Sequence, residues 1–335
     1  MTDTLLAQIA PQRSTQYAQL ASALAPAELF LSPLGQSIIH MEEIELGGQA
    51  YLKLEMETPP DENGLRELGM LSLTSAHFEY FDHIGDQPGP LLRPLETGFE
   101  PFVPLEIAVT RRYRGKTNEM FTAFMCNLAR YSSDFAYRPW DTLRLCDPLA
   151  GGGTTLLTGL ALGADVVGVE QNAQDVQTTI AFVRDYAREE GIACKVKDER
   201  LSKVVGQRWW ITLGKDPVRQ FVFAKGETKL TDKLISGFKN PHLIVTDLPY
   251  GIQHHGQLVD LLTDALPVWE SVLLEGGALV FAWDSTRFSR HDMIEVVKSV
   301  SGLKVLNNAP YDQLAHRVDR VIKERDVIVA RHADG

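Results

Sequence analysis

The chain has little cysteine: Cys126, Cys146 and Cys194 are its only three in 335 residues, too few and too widely spaced for a disulfide framework or a thiolate metal centre. They read as reduced, structural thiols of a cytoplasmic protein. Long apolar runs are also missing. No stretch approaches the ~20 residues that cross a bilayer, so no membrane partner is expected. The start, MTDTLLAQIAPQRSTQ, lacks the basic and apolar regions of a secretory leader. Basic residues are scarce in the first third, where Arg13, Lys53, Arg66 and Arg93 face fifteen acids. Residues 1–105 therefore carry the whole formal charge of −11, and the rest of the chain balances. An acidic front region is a poor grip for a polyphosphate. It suits a protein partner, self-association, or solubility alone.

What is present divides into two patterns. IELGGQAYLKLEME (44–57) alternates apolar and polar residues around a Gly-Gly turn, which predicts a half-buried hairpin, and GMLSLTSAHFEYF (69–81) predicts another strand. Residues 85–106 are dense in Pro and Gly and read as a connector. Residues 1–105 are thus expected to form a small acidic α+β domain ending in that connector. From about 117, short apolar runs (TLRLCD, DVVGVEQ, QFVFAKGE, HLIVTD, GGALVFAWD) alternate with helical patterns, which predicts a mostly parallel sheet covered on both faces over 106–335. Ligands in such α/β sheets sit at the carboxyl ends of strands. Asp147, Glu170, Glu227 and Asp247 all fall there.

CDPLAGGGTTLL (146–157) is a strand entering a glycine loop that opens a helix. Such a loop lets a ligand approach the backbone and offers it unpaired N–H groups. The dinucleotide pattern G-x-G-x-x-G fails at Leu156, and a P-loop fails for want of lysine. The remaining pattern, Asp147-Pro148, then Ala150, Gly151, Gly153, Thr154 and Thr155, with Glu170 and Gln171 closing the next strand, suits a cofactor bearing a ribose and a charged amino-acid tail. The two carboxylate oxygens of Glu170 can accept both ribose hydroxyls.

DPLAGGGTT, GVEQN and TDLPYG together resemble motifs I, II and IV of class I S-adenosylmethionine-dependent methyltransferases. TDLPYG and the upstream RYRGKTNEMF are most similar to the THUMP-associated tRNA guanine-N2 methyltransferases and their bacterial relatives. The resemblance covers roughly 107–335. It implies a Rossmann-like seven-stranded mostly parallel sheet and S-adenosyl-L-methionine as cofactor. It places Lys116, Thr117 and Asn118 near the methionine end of that cofactor, although Thr117 or Asn118 also suits the cap of the helix that follows. It places Glu227 and Thr228, from AKGET, by the adenine.

Within TDLPYG, the Asp247 carboxylate and the Leu248 carbonyl are two acceptors that can draw an amine nitrogen toward tetrahedral geometry. Pro249 removes a donor and fixes the turn, and Tyr250 offers a face for a planar base. An ordinary turn would use the same residues for backbone reasons alone.

The segment 195–225 holds eight basic residues against three acids, with Trp209 and Trp210 among them, and reads as a basic insertion at about 193–220. With 111–116 it forms a candidate RNA contact; the other reading is a solvated hairpin whose Trp pair packs on the sheet. The expected activity is methyl transfer to an exocyclic amine, guanine N2 of tRNA foremost. The alternatives are DNA adenine, a protein or a small molecule as acceptor, or a binding subunit without turnover.

Overall fold

A computed structural model of the protein describes all residues except 1–2, 12–18, 114, 250–254, 319–322 and 333–335. It divides into two compact units, Met1–Glu100 with Asn308–Arg325, and Pro101–Asn307 with Asp326–Gly335. The sequence-based boundary at 105 did not foresee that 308–325 would join the first unit.

The first unit runs β1 (Asp3–Ile9), α1 (Leu20–Leu31), β2 (Ile38–Leu46), β3 (Gln49–Met56), α2 (Glu62–Met70), β4 (Thr74–Ile84) and β5 (Gln87–Pro94). The strands form an antiparallel sheet in the order β2-β3-β1-β4-β5. Gly47 and Gly48 both have positive φ (58° and 75°), the backbone a two-residue hairpin turn requires between β2 and β3. Leu52, Leu54 and Met56 of β3 are buried, as alternation predicts. β5 corrects the reading of 85–106 as wholly connector. Its prolines are tolerated because it is an edge strand, paired only with β4. Much of the acidity lies on the other edge, where Glu42, Glu43 and Glu45 of β2 are exposed. Charge on an edge strand discourages pairing with other chains.

The second unit begins with α3 (Ile107–Thr110), α4 (Glu119–Tyr131), β6 (Arg144–Asp147), α5 (Thr154–Leu162), β7 (Asp165–Glu170) and α6 (Ala173–Glu189). It continues with β8 (Cys194–Ser202), β9 (Gly206–Leu213), β10 (Arg219–Lys225), α7 (Thr231–Leu234), β11 (Leu243–Asp247), α8 (His255–Val272), β12 (Ala278–Asp284), α9 (Arg290–Val300) and β13 (Lys304–Leu306). After β14 (His316–Arg317), in the first unit, β15 (Glu324–Arg331) brings the chain back. The sheet order is β13-β15-β12-β11-β6-β7-β10-β9-β8.

The pairs β10–β7, β7–β6, β6–β11 and β11–β12 are parallel. Leu145, Cys146, Ile244, Val245, Leu279 and Phe281 are fully buried, as strands covered on both faces require. Leu262, Leu266 and Trp269 of α8 and Met293 and Val297 of α9 join Ile244, Leu279 and Phe281 in one apolar cluster. No helix among the described residues is long and apolar enough to cross a membrane.

Seven of these strands make the expected mostly parallel sheet. The basic insertion is an antiparallel hairpin, β8–β9, that extends it beyond β10. From β6 the chain order runs one way through β7 and β10, and from β11 the other way through β12. The order therefore reverses between β6 and β11, the switch point where doubly wound sheets hold their ligands.

Candidate active site

Asp147 and Asp247 end β6 and β11, the two strands flanking the reversal. They differ in burial. Asp147 is 3% exposed and its Oδ1 accepts from Thr246 Oγ1 (2.7 Å) and the Leu149 N–H (3.0 Å). Burial pushes its carboxyl up to about 6, with the Asp247 charge adding to the rise, against the hydrogen bonds from Thr155, Thr246 and Leu149. Asp247 is half-buried, and its Oδ2 accepts from Thr117 Oγ1 at 2.6 Å.

The glycine loop follows Asp147. Gly151 and Gly153 sit at φ 50° and 86°, where a side chain is strained. No heavy atom lies within 4 Å of where a Cβ on Gly151 would stand, so this flank of the loop is open. The Gly151 N–H donates to Glu170 Oε2 (3.0 Å), and the Asn172 N–H donates to Glu170 Oε1 (2.7 Å). Each carboxylate oxygen retains acceptor capacity for one more donor. An open flank beside a half-exposed carboxylate fits a ribose-bearing ligand. Pro148, Ala150, Thr154 and Thr155 are buried, and Gln171 is exposed.

Gly226 donates to the Glu170 carbonyl (3.0 Å), which brings the turn after β10 beside the end of β7. Glu227 is exposed there and pairs with Lys229 at 3.1 Å. Thr228 points into the core, where its Oγ1 accepts from the Trp269 indole (3.0 Å). Asn118 caps α4 by accepting from the Phe121 N–H (3.0 Å). Lys116 pairs with Glu119 and donates to the Val109 carbonyl (3.2 Å). In the acceptor turn, Leu248 is buried with its N–H donating to Ala282 O (2.9 Å), and Pro249 is exposed. Tyr250 lies outside the described residues.

The two basic segments need correcting. Arg111 is 7% exposed and donates to Gly152 O (2.8 Å), Thr178 O (3.2 Å) and Thr179 Oγ1 (2.8 Å), so it pins the glycine loop to α6. Arg208 is buried, donates to Glu199 Oε2 (2.9 Å) and Leu234 O (3.1 Å), and lies over the Trp210 ring. Trp209 is buried, and the Trp210 indole donates to Glu199 (3.1 Å). The alternation in β9 turns Trp209, Ile211 and Leu213 into the core on one face, and the partly buried Trp210 packs on the other beside Phe238. Lys195, Lys197, Arg200 and Lys203 remain exposed.

Three contributors went unread in the sequence. Thr246 holds Asp147, although it stood inside the quoted turn. Tyr113 donates to or accepts from Thr154 Oγ1 (2.5 Å), and its ring covers Gly152 closely enough that a Cβ there would fall within 2.5 Å of it. Arg111 was counted only as charge. Among the described residues no group of His, Cys, Asp and Glu could hold a metal ion.

No family model and no curated protein matches the chain. Among solved structures it is similar to TrmN from Thermus thermophilus (12% identity, 98% of this chain and 99% of that one, TM-score 0.46). It is also similar to the precorrin-6y C5,15-methyltransferase of Geobacter metallireducens (12% identity, 69% and 98%, TM-score 0.39). A third likeness is to the T. thermophilus 16S rRNA N2 G1207 methyltransferase RsmC, crystallised with AdoMet and guanosine (13% identity, TM-score 0.37), of which the chain spans 62% with 94% of its own length. All three are distant, and the functional reading rests on the site itself.

Proposed function

We propose that the protein transfers a methyl group from S-adenosylmethionine to an exocyclic amino nitrogen, with guanine N2 of tRNA as the foremost acceptor. The observation that carries this is Asp247, a half-buried residue at the switch point whose Oδ2 is held by Thr117, next to a glycine loop with an open flank and a ribose-competent Glu170. The bound cofactor would supply a methyl carbon on a sulfonium, open to displacement by a nitrogen lone pair.

The chain's own residues do the rest. Gly151 and Gly153 give the loop a shape that a side chain would strain, and Glu170, which already accepts from the Asn172 N–H, is placed to accept hydroxyl donors beside it. Asp147, charged above about pH 6, braces the loop's first turn through Leu149 and sets a negative potential suited to a cationic ligand. Asp247 and the Leu248 carbonyl are the acceptors for the two amine N–H groups, localising the lone pair on nitrogen. Tyr250 supplies a stacking face. Positioning and electrostatics carry such a reaction.

A second reading, in which the acceptor is not RNA, draws support from Arg111, Lys116 and Arg208, whose charges are engaged inside the fold. The test is transfer of labelled methyl from S-adenosylmethionine to separated cellular RNA, DNA, protein and small-molecule pools. RNase-sensitive label that Asp247→Ala abolishes supports the first reading. Label confined to another pool moves the acceptor to the second, and no label with any pool contradicts both.

A further inference from the structure

The link between Thr117 and Asp247 joins residues 130 positions apart and lies where the reaction is proposed to occur. The Thr117 hydroxyl has one hydrogen, and it goes to Asp247 Oδ2 at 2.6 Å. Fixing one oxygen of a carboxylate fixes the plane of the group and the direction of its other oxygen.

Thr117 is itself held from both sides. On its C-terminal side Asn118 caps α4, accepting from Phe121 through its side chain (3.0 Å) and from Thr122 through its carbonyl (2.9 Å). On its N-terminal side, Arg111 is bonded to Gly152 O and Thr179, and Tyr113 to Thr154 on the first turn of α5. The segment that carries Thr117 is therefore referenced at one end to the cofactor loop and at the other to α4. Its hydroxyl hands that reference to the acid at the end of β11.

We infer that Thr117 is a positioning residue, which orients Asp247 toward the incoming amine and registers it against the cofactor loop, rather than a cofactor contact. The inference rests on the reading of Asp247 as the amine acceptor. The hydroxyl's single hydrogen is committed to Asp247, so toward a cofactor it could act only as an acceptor.

The test compares wild type, Thr117→Val, Thr117→Ser, Asp247→Asn and the Thr117→Val/Asp247→Asn pair. Cofactor affinity is measured by calorimetry with S-adenosylmethionine, and single-turnover methyl transfer is measured to whichever cellular pool the wild type labels. Thr117→Val is expected to slow transfer by about 10- to 100-fold, the range for losing a hydrogen bond to a charged group or misplacing a reacting partner. Cofactor affinity should stay within about twofold. Thr117→Ser, which keeps the hydroxyl, should recover most of the rate, and the double variant should be no slower than Asp247→Asn alone.

A tenfold loss of cofactor affinity in Thr117→Val, or an unchanged transfer rate, overturns the inference while leaving the proposed reaction standing. Failure of wild type to label any pool, or full activity in Asp247→Asn, overturns the proposed reaction and the inference with it. A misfolded Thr117→Val would leave the decision to Thr117→Ser, whose rate the inference requires to stay near wild type.

Discussion

Two regions of the second unit look equally functional in sequence and turn out to be built oppositely. The turn after β6 and the hairpin β8–β9 are both rich in polar or charged groups. Around the first, Glu170 and Asp247 stay partly accessible, and Gly151 faces open space. In the second, Arg208 and Trp209 are buried, and Arg208 and Trp210 share one acceptor, Glu199. What separates them is place in the sheet. The first sits where strand order reverses, so neighbouring loops diverge and leave a crevice. The second lies at the sheet's edge, where an amphipathic strand has no crevice to line.

That contrast is easiest to break at Asp247. Asp247→Ala is expected to lower turnover by at least about 10²- to 10³-fold, the scale for removing one electrostatic contact at a reacting centre, with little change in protein stability. Arg208→Ala should do the reverse. Removing a buried cation that is paired and bonded to carbonyls should cost roughly 3 kcal/mol in denaturant unfolding, while kcat per folded molecule holds. Loss of turnover in a stably folded Arg208→Ala would return the hairpin to the active site.

Gly152→Ala sharpens the account of the loop. The added methyl would fall within 2.5 Å of the Tyr113 ring, which Thr154 anchors, so overpacking should cost about 1–3 kcal/mol. Combining it with Tyr113→Ala should make the methyl nearly neutral, read as non-additivity in thermal unfolding.

A further expected effect is a pH dependence. Burial holds the Asp147 carboxyl at about 6, against 3.8 for an ordinary aspartate. A raised folded-state value means that Asp147's contribution to ligand-free stability is fully present below about pH 3.8. It is lost as pH rises through about 6, a difference of order 3 kcal/mol. Affinity for a cationic cofactor runs the other way, because binding needs the ionised form. It should be level above pH 7 and weaken by about tenfold per unit below 6, read by calorimetry across that range.

The sheet, and the meeting of Asp147, the glycine loop and Glu170 at its strand ends, were legible because their signals are local. Apolar runs of strand length, glycines that fix one turn and acids at strand ends are each read from a few residues: Asp147, Gly151 and Gly153 fall within one short stretch, and Glu170 closes the next strand. The hairpin was not, since whether Lys197 or Trp210 faces water depends on their pairing with each other and on how β9 lies against β10. Pairing across the sheet is set by tertiary register rather than by composition. The roles of Arg111 and Thr117 were hidden for the same reason: their partners, Gly152 and Asp247, lie 41 and 130 residues away. β5 was missed because its prolines read as a connector unless the strand is known to be an edge.

The central claim is a division of labour between two aspartates at adjacent strand ends, one serving the cofactor loop and the other the acceptor. The most direct measurement is the calorimetric affinity of S-adenosylmethionine for wild type, Asp147→Asn and Asp247→Asn at pH 7.5, which requires no knowledge of the acceptor. The account predicts at least about tenfold weaker binding for Asp147→Asn and a change within about twofold for Asp247→Asn. Equal losses in both variants, or the larger loss in Asp247→Asn, would contradict it.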